Sequence, residues 1–106
     1  MMQNISKEAV CAIASKLGLP EVGSSWQGVD AVLPLLNKIK GEGGIVIIKL
    51  DGERTSEDDN GQYTLMISGS PLDGDFIRTD SATIEEGLTT IITEYAEKVW
   101  RLSANH

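Results

Sequence analysis

At Gly41-Glu42-Gly43-Gly44 the hydrophobic period of this chain changes, and that change limits the fold more than any other feature. Before it, apolar residues recur at helical spacing: Val10, Ile13, Ala14 and Leu17, then Val32, Leu35, Leu36 and Ile39. After it comes Ile45-Val46-Ile47-Ile48-Lys49-Leu50, a β-branched run too short for a buried helix and of strand length. Helices therefore come first and strands follow. Because 106 residues fill one domain, 1–106 is read as a single domain in which both kinds of element share one core.

The pattern predicts a first helix over about residues 7–17. Ser6 is placed to cap it, Ile5 and Val10 to staple its entry, and Gly18 with Pro20 to end it. Residues 20–29 read as a loop whose Trp26 plugs onto the core. A second helix is expected from Asp30, as N-cap, to Lys40, with a kink where Pro34 removes a backbone donor. The strand at 45–50 places Lys49 on the side of Ile45 and Ile47. Residues 51–61 carry no large apolar side chain, end in Asn60-Gly61 and read as an exposed acidic hairpin loop. A second strand over Gln62–Ser68 alternates Tyr63, Leu65 and Ile67 with Thr64, Met66 and Ser68. Turn chemistry at 69–74 leads to a third strand over Asp75–Thr79.

Thr83-Ile84-Glu85-Glu86 forms a capping box, and Ile84, Leu88, Ile91, Ile92, Tyr95, Val99 and Leu102 extend a helical stripe over nearly five turns. Glu94 with Lys98 and Glu97 with Arg101 stand at i, i+4 in the favoured order. Gly87 breaks helix propensity and offers room for a close approach of the strands. The expected fold class is α+β, ordered α-α-β-β-β-α, with a three-stranded antiparallel meander packed against helices. The short connections leave no room for a parallel crossover.

The net charge is −7, and its placement is uneven. Residues 1–50 sum to +1, residues 87–106 to zero, and residues 51–86 hold ten acids against Arg54 and Arg78, a net of −8. Such a surface repels nucleic-acid phosphates and anionic lipid and attracts a basic protein. The same acids also serve solubility alone. No apolar run reaches the length of a membrane span, and the first residues lack a signal-peptide pattern, so a cytoplasmic protein is expected.

Catalytic parts are scarce. His106 is the only histidine and the last residue, so no Ser–His–Asp or Cys–His set has a positioned base. Cys11 lies beside the first helical stripe, where a half-buried inert thiol is expected. One Cys and one His cannot build a zinc site. The acidic loop fails the EF-hand spacing, because setting Gly61 as sixth residue puts Ser56 first and Ile67 twelfth. Gly41-Glu42-Gly43-Gly44 precedes a strand rather than opening a helix, so it is not a phosphate cradle. These readings point to no metal, no cofactor and no enzyme.

The stretch Ile45 to Glu97 resembles the HicB-type antitoxins. Shared features are a strand, an acidic hairpin, a second strand opened by Gly61-Gln62-Tyr63 and a helix beginning Thr83-Ile84-Glu85-Glu86-Gly87-Leu88. Gly69-Ser70-Pro71-Leu72 corresponds loosely to that family's proline-and-glycine segment, and residues 1–44 lie outside the resemblance. In size and acidity the chain is also similar to bacterial immunity proteins. Both resemblances imply a small acidic inhibitor of a basic protein partner.

The sequence therefore suggests a non-enzymatic binding module whose Glu53, Glu57, Asp58 and Asp59 engage that partner. The alternative is a small-molecule-binding or regulatory domain with a pocket between sheet and final helix lined by Tyr63, Phe76 and Trp100. Plain core packing of the same aromatics competes with it. The apolar strands also lead us to expect a homodimer, through the sheet or the final helix, with the acidic loops away from the interface.

Overall fold

The computed structural model describes residues 7–52 and 62–102. Helix α1 spans Lys7–Lys16, and α2 spans Leu33–Gly41 behind a 3₁₀ turn at Asp30–Val32. Strands β1 (Gly44–Leu50) and β2 (Tyr63–Gly69) are followed by a 3₁₀ turn at Ser70–Leu72 and by β3 (Ile77–Ser81). Helix α3 (Ile84–Tyr95) continues into a π-helical turn, Ala96–Trp100. The sheet is an antiparallel meander in the order β1-β2-β3, with Ile47 opposite Met66 and Met66 opposite Arg78. This is the α+β layout expected from the switch of period.

One face of the sheet is covered. Helix α3 lies on β2 and β3, α2 packs against β1, and α1 packs on α3. Leu65 and Ile67 of β2, Leu88, Ile91, Ile92 and Tyr95 of α3, and Val10, Ile13, Val32, Leu35 and Ile39 form one buried core. Trp26 closes its edge as anticipated: the ring is buried and Nε1–H donates to the Lys7 carbonyl at 3.1 Å. Gly87 allows α3 to sit low, since a Cβ there would strike Leu65 Cδ1. The close neighbour is thus a β2 side chain, not strand backbone.

Four local expectations need correction. Asp30 does not cap α2; it opens the 3₁₀ turn, and Val32 stands at the cap with no side-chain hydrogen bond. Pro34 then falls in the first turn of α2, where its missing N–H is not needed, so the expected kink resolves into a 3₁₀-to-α junction. The third strand begins two residues late, because the Asp75 N–H is turned to the Leu72 carbonyl at 3.0 Å and does not reach β2. The C-terminal stripe does not run as one α-helix either. After Tyr95 the chain widens into the π turn, with Arg101 left-handed at φ 57° and its N–H on the Ala96 carbonyl. Lys98 then reaches Asp75 at 3.8 Å, and among the described residues no ion pair joins Glu94 to Lys98 or Glu97 to Arg101. The Ser6 cap and the Ile5 half of the staple lie outside the described residues.

Candidate functional site

Among the described residues, the uncovered face of the sheet and the junction between α2 and the end of α3 hold exposed or charged side chains in a defined arrangement. The uncovered face is built by strand alternation. Val46, Ile48, Leu65 and Ile67 point toward the helices, so Ile45, Ile47, Lys49, Thr64, Met66, Ser68, Arg78 and Asp80 point away. Ile45 and Ile47 remain 53% and 45% exposed, and Phe76, just before β3, 55%. At the other end of this face the chemistry is polar. Thr64 Oγ1 donates to Asp80 Oδ1 at 2.5 Å, Arg78 lies 3.4 Å from the same oxygen, and Lys49 lies 3.8 Å from Asp51.

The polar end is also where the acidic segment attaches. Asp51 N–H donates to the Gln62 carbonyl at 2.9 Å, which brings the two ends of the segment side by side. Leu50 beside it is 67% exposed. Glu53, Glu57, Asp58 and Asp59 lie outside the described residues.

The second region centres on Glu42, the residue between the glycines that end α2. Tyr95 O–H donates to Glu42 Oε1 at 2.7 Å. Trp100 Nε1–H is shared between Oε1 at 3.0 Å and Oε2 at 2.9 Å. Lys38, one helical turn earlier, reaches Oε2 at 3.2 Å and sits 5.7 Å from the Trp100 ring centre. The two rings meet edge-on, 5.0 Å apart and 77° inclined. Burial alone would raise the Glu42 carboxyl pKa, but the bonds from Tyr95, Trp100 and Lys38 outweigh it and hold the group below its ordinary value. Burial first, then the Glu42 carboxylate, pushes the Tyr95 hydroxyl above its usual range. A carboxylate with donors on both oxygens is an anchor rather than a reactive base.

Sequence reading missed Glu42, and the reason is geometric. At about 100° per residue, Tyr95 and Trp100 would stand about 140° apart around an α-helix, so the stripe included one and not the other. The π turn, with its i to i+5 bonds, brings Trp100 round beside Tyr95. The one visible signal was an acidic residue enclosed by three glycines at the end of a helix.

Tyr63, Phe76 and Trp100 are not brought together. Tyr63 pairs with Leu50 and Ser81 at one end of the sheet, whereas Trp100 holds Glu42 at the end where Gly44 pairs with Gly69. Those ends are about 20 Å apart at strand rise. Phe76 faces solvent. Cys11 is half-buried, its S–H directed to the Lys7 carbonyl at 3.7 Å, and burial pushes its thiol pKa up. Among the described residues no group of three or more His, Cys, Asp or Glu side chains is arranged to hold a metal, and no helix is long and apolar enough to cross a membrane. No protein-family model, curated protein or solved structure matches the chain.

Proposed function

We propose that this chain is a non-enzymatic protein-binding module, of the immunity or antitoxin type, whose acidic β1–β2 connection engages a basic protein. The observation that carries this reading is the placement of charge. Residues 51–61 hold five acids against Arg54, and Asp51 and Gln62, which flank the segment's interior, are hydrogen-bonded at one end of the β1–β2 ladder. Exposed Leu50 beside it offers apolar area next to the charge. Acids so grouped speed the approach of a basic partner and select against acidic ones, while apolar contact supplies affinity. The dispersal of Tyr63, Phe76 and Trp100 removes the observation on which a small-molecule pocket would rest.

The test compares the wild type with a variant carrying Glu53→Gln, Glu57→Gln, Asp58→Asn and Asp59→Asn in capture from a lysate of the source cell. The reading expects a basic protein retained at low salt by the wild type, released at high salt and not retained by the variant. Retention that is equal for both, or no retained protein, contradicts it.

A further inference from the structure

We propose that β1 pairs antiparallel with β1 of a second copy of this chain, about a two-fold axis through Ile47, joining two three-stranded sheets into one of six. Strand β1 is an edge of the sheet, and its free edge can be identified from the register. Asp51 donates its N–H to Gln62 across the β1–β2 ladder, so the odd-numbered residues of β1 turn their backbone groups toward β2. Val46, Ile48 and Leu50 therefore present N–H and C=O outward. Among the described residues no further strand pairs with them. The strand is seven residues long, contains no proline and carries one charge, Lys49, so it lacks the usual protections of an edge.

Its sequence is also self-complementary. Centred on Ile47, an antiparallel copy places Val46 opposite Ile48 and Ile45 opposite Lys49, and all seven residues overlap. Val46 and Ile48, the outward-bonding pair, would exchange backbone hydrogen bonds with the second copy. Both are only partly buried in the single chain, although they face the helix side, so pairing completes cover that α2 leaves unfinished. Ile47 meets Ile47 of the second copy on the open face, where each is now exposed.

Charge favours the second copy in this orientation. The acidic segment follows Leu50, while Lys38, Lys40 and the Lys38-paired Glu42, together +1, precede Gly44 at the other end of the strand. Antiparallel pairing sets the acidic end of each copy beside the lysine-bearing end of the other. It also sets Asp51 of one copy about 27 Å from Asp51 of the other at strand rise, about three screening lengths at physiological salt. A parallel arrangement would place them side by side.

Four preparations test this independently of the proposed partner binding. The wild type at about 50 µM, above the dissociation constants of most specific dimers, should sediment at twice 11.4 kDa, and Ile47→Lys at 11.4 kDa with unchanged circular dichroism. In a Cys11→Ser background, Ile47→Cys should form an intermolecular disulfide at least tenfold faster than Ile45→Cys. Position 47 lies about 4.5 Å from its counterpart across the pair and position 45 about 14 Å from its own. A wild type of 11.4 kDa, a dimer indifferent to Ile47→Lys, or equal cross-linking at both positions overturns the proposal. Partner capture that fails while the dimer forms removes the proposed function alone, and the reverse result removes β1 pairing alone.

Discussion

The two edges of the sheet flank the same central strand and are finished in opposite ways. Strand β3 is five residues long, follows a turn with Asp73 and Gly74 at positive φ, and carries Arg78 and Asp80. The first amide beyond that turn, Phe76 N–H, is taken by the Asp75 carboxylate at 2.8 Å. Helix α3 then presses on β3 from the covered side. Strand β1 is two residues longer and carries Ile45, Ile47 and Leu50 in the open with Lys49 as its single charge. Short length, charge and an internally satisfied donor all blunt an edge; β3 has all three, whereas β1 has Lys49 alone. The difference teaches that β1 is the less protected edge, and the proposed pairing of β1 rests on it.

The contrast breaks most completely at Gly69. Its φ of 111° and a built Cβ only 2.5 Å from the Gly43 carbonyl mean that β1 and β2 join through a contact no side chain fits. Gly69→Ala should cost more than about 3 kcal/mol, through positive-φ strain and backbone displacement together. Urea denaturation measures it; a loss under about 1 kcal/mol would show that the strand ends tolerate separation.

The covered side of β2 and β3 responds less. Gly87→Ala gains about 1 kcal/mol of helix propensity. It forces Leu65 out of a packed site, which costs about 1–3 kcal/mol, so the net effect should be a modest destabilisation. A rise in thermal midpoint would mean that α3 can lift from β2 without penalty.

Glu42 fastens the start of β1 to the end of α3, so its loss should loosen the β1 edge and leave β3 in place. Glu42→Gln keeps an acceptor for Tyr95 and Trp100 but loses the charge that pairs with Lys38, at a cost of about 1 kcal/mol near neutral pH. The folded pKa of Glu42 lies below its ordinary 4.5, so its contribution is complete above that value and lost as pH falls through the lower folded one. Acid unfolding should accordingly be steeper for the wild type than for Glu42→Gln. Tyr95 acts in the other direction, its contribution being complete below pH 10.0 and lost as pH rises beyond it. The smallest effect belongs to β3. Arg78→Ala removes a surface pair with Asp80 and should change stability by less than about 0.5 kcal/mol.

Much of this contrast was visible in the sequence, because alternation and helical period report burial directly. The Ile45–Leu50 run, the Tyr63, Leu65 and Ile67 face, and the Thr83 cap, whose Oγ1 accepts the Glu86 N–H at 3.1 Å, all follow from local pattern. The start of β3 did not, since it depends on where one turn amide points. The Pro34 junction turned on whether the preceding turn was α or 3₁₀, and the two share their apolar spacing over so short a stretch. The Glu42 cluster joins residues more than fifty positions apart through a π turn that no periodicity announces. The open sheet face was legible in part. Lys49 shared a side with Ile45 and Ile47, but which side the helices cover is a tertiary fact.

Amide hydrogen exchange, read residue by residue at low and high protein concentration, addresses the contrast between the edges most directly. In the single chain Ile45, Ile47 and Lys49 bond to β2 and should be protected at any concentration, while Val46 and Ile48 face outward. Pairing of β1 predicts that Val46 and Ile48 become protected as concentration rises, while Arg78 and Asp80, outward-facing on β3, keep exchanging quickly. If Val46 and Ile48 exchange as fast as Arg78 and Asp80 at the highest concentration, β1 is as closed to other chains as β3, and the contrast between the two edges has no functional meaning.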